Sequence, residues 1–270
     1  MLDSPSTRRP SCLHVQGRRA VLLLLVALGL LAAPMAQAAE IRVLTSGAFK
    51  PVVAEVAARF AADTGTQVKL DNDTAGALVR RVNGGETFDV LILTPGALAD
   101  LQKAGKVGAG AIAPLAKVGI GVAVKAGAPR PDISTSDAFK QTLLAAQRVA
   151  MIDPAAGGSS GIYLTRLFER WGIADAIRAK AVLVPGGLVA TRLVSGEADI
   201  AIHQISEILA VPGADLVGPL PADIQNFTVY AGALAPAPAD PQAAAAFLAR
   251  LSGPDTTPIL ATKGMQPATP

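Results

Sequence analysis

The sequence predicts an α/β protein of two lobes, each a mostly parallel sheet flanked by helices. Two observations carry this. Short β-rich runs alternate with helical periods along the chain, the pattern of βαβ units. Hydrophobic residues make up 51% of the chain and aromatics only 4%, so alanine, valine and leucine must form the core, which suits helices packed closely on a sheet. The elements follow in order.

The first 38 residues stand apart from this pattern. Arg8, Arg9, Arg18 and Arg19 precede an apolar run from Ala20 to Ala33, Pro34 breaks it, and Ala36-Gln37-Ala38 has the small-x-small form of a signal-peptidase site. These are the parts of a secretory signal peptide cleaved after about Ala38. The run is too short for a membrane span, which needs roughly 20 apolar residues. Export to the periplasm is therefore expected, and Arg18-Arg19 leaves the twin-arginine route open beside the general one. Removing the segment takes four arginines and one acid, so the 24 basic and 21 acidic residues of the chain become 20 and 20. A mature chain of zero net charge offers no basic face for nucleic acid. Cys12 leaves with the signal, which excludes disulfides, thiolate metal sites and a cysteine nucleophile. His203 is then the single histidine, too few for a histidine-rich metal site. Asp71, Asp73 and Asp89 lack the spacing of a calcium loop. No metal or cofactor is expected, and with no evident interface helix the chain reads as a monomer.

Ile41–Thr45 begins the mature chain as a strand. Pro51 opens a helix to about Ala62, with Val52, Val53, Val56 and Phe60 on one face, and Gly65 ends it. A strand over 67–70, a turn over 72–76 and a helix from Ala77 carrying Arg80 and Arg81 come next. Asp89–Leu93 is a strand, followed by a helix to about Ala104. The middle reads as a strand over 118–124, a helix over 136–146, a strand over 149–152, a glycine-rich loop over 153–160 and a helix over 161–171. A strand over 181–184 and a helix over 188–194 repeat the unit. Strands over 199–203 and 227–234 follow, with Ser206 a candidate cap between them and a closing helix over 241–251.

Four short loops fall at strand ends: Thr45–Ala48, Thr74–Gly76, Gly157–Gly161 and Gly186-Gly187. In open α/β sheets ligands bind outside the carboxyl ends of strands. Each loop leads into a helix, whose first N–H groups and dipole favour an anion. This predicts an anion site of amides and hydroxyls with no dedicated cationic side chain.

The order of landmarks over more than 200 residues resembles the extracytoplasmic solute-binding proteins of ABC transporters, in their molybdate-type branch. Those landmarks are Val43–Ala48 leading into the Pro51 helix, Gly76-Ala77-Leu78 with Arg80, and Asp89-Val90. In the middle they are Val118–Val124, Gly127-Ala128-Pro129 with Pro131-Asp132-Ile133, and Gly161-Ile162-Tyr163; the most specific is Ser195-Gly196-Glu197-Ala198-Asp199-Ile200. The resemblance implies a type II periplasmic binding fold: lobe I from 39–117 plus 229–270, lobe II from 118–228, crossings near Val118 and Thr228, and a hinge that closes on the ligand. It implies an ABC permease as partner and a site of five loops. Their positions are Ala48 with Ser46 nearby, Ala75 with Thr74 adjacent, the amide of Ser160, the amide of Gly186, and Gln204 where molybdate binders commonly have tyrosine. Hydroxyls of the family pattern are thus missing or displaced. Thr45, Ser159, Ser160 and Gln204 offer both donors and acceptors, which would suit an organic carboxylate with hydroxyl groups. A molybdate-like oxyanion and a small organic carboxylate both stay open as ligand.

Two other function classes fit parts of the chain. Gly157-Gly158-Ser159-Ser160-Gly161 has the G-x-S-x-G form of a hydrolase elbow. Its base would have to be His203, and Asp199 cannot orient that ring, since strand residues four apart lie roughly 13 Å from one another. A receptor presenting the closed form to a membrane sensor is the other. The expected function remains ligand capture for uptake, without chemistry.

Overall fold

The computed structural model describes residues 1–2 and 39–268, so all but the first two residues of the expected signal segment lie outside the described residues. Beyond that segment, Ala38–Pro270 forms one compact unit. Its strands are β1 (Glu40–Ser46), β2 (Gln67–Asp73), β3 (Val90–Leu93), β4 (Ala113–Lys125), β5 (Val149–Ile152), β6 (Ala181–Val184), β7 (Ile200–Gln204), β8 (Ala214–Pro219), β9 (Phe227–Leu234) and β10 (Met265–Pro267). Its helices are α1 (Lys50–Thr64), α2 (Ala75–Asn83), α3 (Pro95–Lys103), α4 (Ser136–Ala145), α5 (Ser159–Arg170), α6 (Ala174–Arg178), α7 (Thr191–Val194), α8 (Ile205–Ile208), α9 (Pro241–Ser252) and α10 (Thr257–Thr262).

The sheet order is β2-β1-β3-β9-β4-β7-β5-β6, with β8 and β10 also paired to β4. Pairing is parallel at the two ends, β2-β1-β3 and β7-β5-β6, as the alternation predicts. It is antiparallel around β4 and β9, which makes the sheet mixed. The first half of β4 pairs with β9 and β10, its second half with β7 and β8. Val118 and Thr228, expected at the crossings, face each other in the β4–β9 register. One strand therefore belongs to both halves of the molecule.

Each half has apolar cores on both faces of its sheet. In the first, one core gathers Ile41, Val43, Phe49, Val52, Val53 and Phe60 with Phe247 of α9, and the other Leu44, Leu78, Leu91, Leu93 and Leu98. In the second, Ile120, Phe139, Val149, Leu164, Leu167 and Ile202 lie on one face and Ala150, Ile152, Val189, Leu193 and Ala201 on the other. β3 and β5 are buried along their whole length, hence their continuous apolar sequence. Among described residues, no helix is long and apolar enough to cross a membrane.

Helix α1 starts with Pro51 in its first turn and ends at Gly65, whose φ of 75° lets its N–H reach the Ala61 carbonyl. Several expected boundaries shift: β4 starts at Ala113 rather than 118, α7 covers only Thr191–Val194, and two more bear on the cleft. β2 continues to Asp73 and α2 begins at Ala75, because Thr74 Oγ1 accepts the Ala77 N–H as its cap. Likewise α5 begins at Ser159 rather than Gly161: its serines occupy the first turn, where polar residues are tolerated. Gly161 is fixed by packing, since a Cβ there would stand 2.3 Å from the Ile152 carbonyl oxygen. Gly161→Ala is therefore expected to lower the melting temperature by about 2–12 °C, as overpacking against backbone costs typically 1–3 kcal/mol. A thermal scan checks it, and an unchanged midpoint contradicts the packing argument.

Candidate ligand cleft

Six strand ends converge on one cleft. It encloses about 460 Å³ of empty space, mouth included. Ser46, Gly47 and Ala48 come from the end of β1; Asn72, Asp73, Thr74 and Ala75 from the β2–α2 turn; and Thr94 from the end of β3. Opposite stand Ile152, Gly158, Ser159, Ser160 and Gly187. His203, Gln204 and Glu207 at the β7–α8 junction, with Tyr230 of β9, complete the lining.

Seven of the nine expected residues thus meet: Ser46, Ala48, Thr74, Ala75, Ser159, Ser160 and Gln204. Thr45 does not line the cleft. It is fully buried within β1 and its hydroxyl donates to the Ser46 carbonyl at 3.2 Å. Gly186 does not line it either; Gly187, at a φ of 82°, takes that place. The Thr74 hydroxyl is consumed, accepting from Ala77 N–H and donating to the Ala156 carbonyl across the cleft. Ser206 is no cap: its hydroxyl donates to the Ala48 carbonyl at 2.8 Å, tying the β7–α8 junction to the first loop. Lys50 is exposed and outside the lining, and Arg81 sits in a network with Asp71, Asp73 and Glu86. That guanidinium holds the carboxyls of Asp71 and Glu86 below the usual range.

The floor of the cleft is a polar cluster in which Ser159 and Gln204 were expected and Glu207 and Tyr230 were not. Gln204 Nε2 donates to Thr228 Oγ1 at 2.8 Å and to Ser159 Oγ at 3.1 Å, while its Oε1 is buried without a partner among the described residues. His203 Nε2 lies 3.3 Å from Glu207 Oε2, and its Nδ1 is likewise buried and unpartnered among them. Burial pushes the Glu207 carboxyl up to about 8 and the His203 imidazole down to about 3, so near neutral pH the pair carries no net charge. Burial and the nearby Glu207 raise the Tyr230 phenol as well. Neither Lys nor Arg is among the lining residues; Asp73, the other carboxylate there, is offset by Arg81 Nη1 at 3.6 Å and accepts the Thr74 N–H at 2.8 Å.

The hydrolase arrangement is not formed. Ser159 Oγ is bonded by Gln204 and Thr228, and His203 makes no hydrogen bond to it among the described residues. Asp199 accepts from the Gln147 and Arg148 amides, away from the cleft. The acid beside His203 is Glu207, invisible to a strand argument because the chain turns into a helix between them. Asn72 and Thr94 were missed as ordinary strand-end residues; their signal was only their place beside the glycine-rich loops.

Residues 41–266 match the model of the bacterial extracellular solute-binding protein family, and the chain belongs to that family. The fold is that of the two-lobe periplasmic binding proteins, the molybdate-binding-like type II form. A molybdate-binding protein from Azotobacter vinelandii superposes with a TM-score of 0.71 at 20% identity, covering 83% of this chain and 98% of that one. A sulfate-binding protein from Mycobacterium tuberculosis gives 0.67 at 21%, covering 86% and 88%. In sequence, a Pseudomonas protein named aconitate isomerase is 38% identical over 253 residues, 91% of this chain and 94% of its own length.

Proposed function

We propose that the protein captures a small organic polycarboxylate of the aconitate class in this cleft, between two lobes that close on it, after export to the periplasm and removal of residues 1–38. The observation that carries the reading is the pair of buried, unpartnered atoms on the cleft floor, His203 Nδ1 and Gln204 Oε1. Such groups cost about 1–3 kcal/mol each unless a ligand meets them. An amide oxygen beside an imidazole nitrogen, which can accept or donate, matches a polycarboxylate that carries a hydroxyl or keeps one carboxylic proton. A fully ionised tetrahedral oxyanion offers acceptors alone, and Gln204 Oε1 would repel it. The helix-start amides of Ser160 and the first turn of α5 then take the negative charge. The aconitate isomerase relative points to the same ligand class, and adds a second reading: that the captured ligand is also isomerised. On the first reading the partner is an ABC permease, or a membrane sensor that reads the same closure, and the protein acts as a monomer.

A thermal-shift and calorimetry panel tests this with cis- and trans-aconitate, citrate, tricarballylate, molybdate and sulfate. Polycarboxylates at 100 times their dissociation constant should stabilise the fold by about 2.7 kcal/mol, and the inorganic oxyanions should not. Binding of molybdate or sulfate alone would sink the carboxylate reading and restore the oxyanion one.

A further inference from the structure

We propose that His203 and Glu207 form a proton-transfer pair that shifts a proton between the two ends of the allylic unit of a bound unsaturated polycarboxylate. The inference rests on the polycarboxylate reading above and adds a reaction and two residue roles to it.

The first ground is position. His203 closes β7 and Glu207 lies in the short helix α8 that follows; Nε2 and Oε2 are 3.3 Å apart, and both residues line the cleft. The Nε2 edge of the ring is thus held by a carboxyl, while the Nδ1 edge is left without a protein partner among the described residues. An imidazole oriented on one side by an acid and free on the other is the arrangement of a general base. Secondly, the chain makes room for the carboxyl. A Cβ on Gly47 would stand 2.6 Å from Glu207 Oε1, so the glycine of the first loop keeps that side chain in the cleft wall. Thirdly, a site that only had to hold an anion gains nothing from a buried carboxyl at its floor, since burial is costly and any ionisation repels the ligand. The alternative base, Asp73, is engaged by the Thr74 amide and lies close to Arg81.

The step balances without a cofactor. With Nε2–H donated to a carboxyl oxygen of neutral Glu207, the Nδ1 lone pair takes one proton from the allylic methylene. The C–H electron pair moves into the carbon–carbon double bond and its conjugated carboxylate, giving a dienolate opposite an imidazolium that Glu207 stabilises. Nδ1–H then returns a proton to the other end of the three-carbon unit, and the double bond has moved by one carbon. One proton leaves, one arrives, and nothing is oxidised or reduced. The N–H groups at the start of α5 face the charge that develops on the carboxylate.

The test follows trans-aconitate by proton NMR in D2O with the wild-type protein, beside calorimetry with the same ligand. Appearance of the cis isomer with deuterium in the methylene position supports the proposal. His203→Gln should cut that rate by about 10²–10⁴-fold while changing the dissociation constant by less than about tenfold. Glu207→Gln should lower kcat at least about tenfold with KM unchanged, the split expected of a positioning residue. Tight binding by wild type with no isomerisation or deuterium exchange overturns the proton shift and leaves capture standing. Turnover that survives His203→Gln overturns the role of the pair. Absence of binding by every polycarboxylate removes the functional reading, and the inference with it. The wild-type exchange measurement decides the reaction even if a variant fails to fold.

Discussion

Affinity for a tricarboxylate is expected to fall about tenfold between pH 7 and pH 9. Glu207 has its carboxyl raised to about 8 by burial, so below that pH it is neutral and the His203–Glu207 pair bears no net charge. As pH rises through 8 the carboxyl ionises, placing a negative charge at the floor of a site that receives an anion. If the ionised form does not bind, observed affinity tracks the protonated fraction and drops about tenfold per unit above the pKa. Of the other titratable groups in the lining, Asp73 is beside Arg81, and the Tyr230 phenol is pushed further up, so it stays neutral over this range. Calorimetry from pH 6 to pH 9.5 at fixed ionic strength reads the effect. Glu207→Gln, which mimics the neutral acid, should flatten the curve while keeping the affinity seen at pH 7. A flat wild-type curve means the carboxyl does not face the ligand.

The second large effect is expected at Gly76. The two sides of the cleft touch through backbone at its mouth: Gly76 N–H donates to the Gly157 carbonyl at 3.2 Å, next to the Thr74 bond to Ala156. A Cβ on Gly76 would lie 2.8 Å from the Gly157 Cα, and one on Gly157 2.6 Å from the Gly76 Cα. No flexible side chain is there to move aside, so a substituent on either glycine must part the two halves. Gly76→Val should therefore weaken binding at least about tenfold, since ligand then binds a closed state that is rarely populated. The melting temperature without ligand should fall only slightly, because Gly76 belongs to none of the apolar cores. Small-angle scattering should show a larger radius of gyration for the variant with ligand than for wild type with ligand. Equal affinity for Gly76→Val and wild type would mean that this contact plays no part in closure.

Much of the fold was legible because its punctuation is local. Pro51 and Gly65 bracket α1, and β3 and β5 are continuous apolar runs between turn signals. What escaped was short or dependent on distant partners. β8, β10, α6 and α10 bury little surface of their own and form by pairing with or packing on elements far along the chain. The antiparallel centre, set by β4 joining both halves, has no sequence signature either. In the site, the loops could be read from glycine, serine and threonine at strand ends, and seven of nine expected residues meet there. Thr45 failed because a strand alternates its faces and its hydroxyl points into the sheet interior. The His203–Glu207 contact was hidden by a change of period: four residues span too far on a strand, yet the turn from β7 into α8 brings these two within 3.3 Å. A histidine followed four residues later by an acid, across a strand end, was the signal available.

If the cleft holds the anion proposed, its charge is met by main-chain N–H groups, which every substitution except proline leaves in place. The polar side chains of the lining are few and sit at several separate strand ends, and apart from Tyr230 none belongs to an apolar core. The framework for recognising an anion is thus inherited with the backbone, and the choice among anions, or between holding one and rearranging it, lies within reach of two or three substitutions. A chain of this design can change its diet without relearning how to fold.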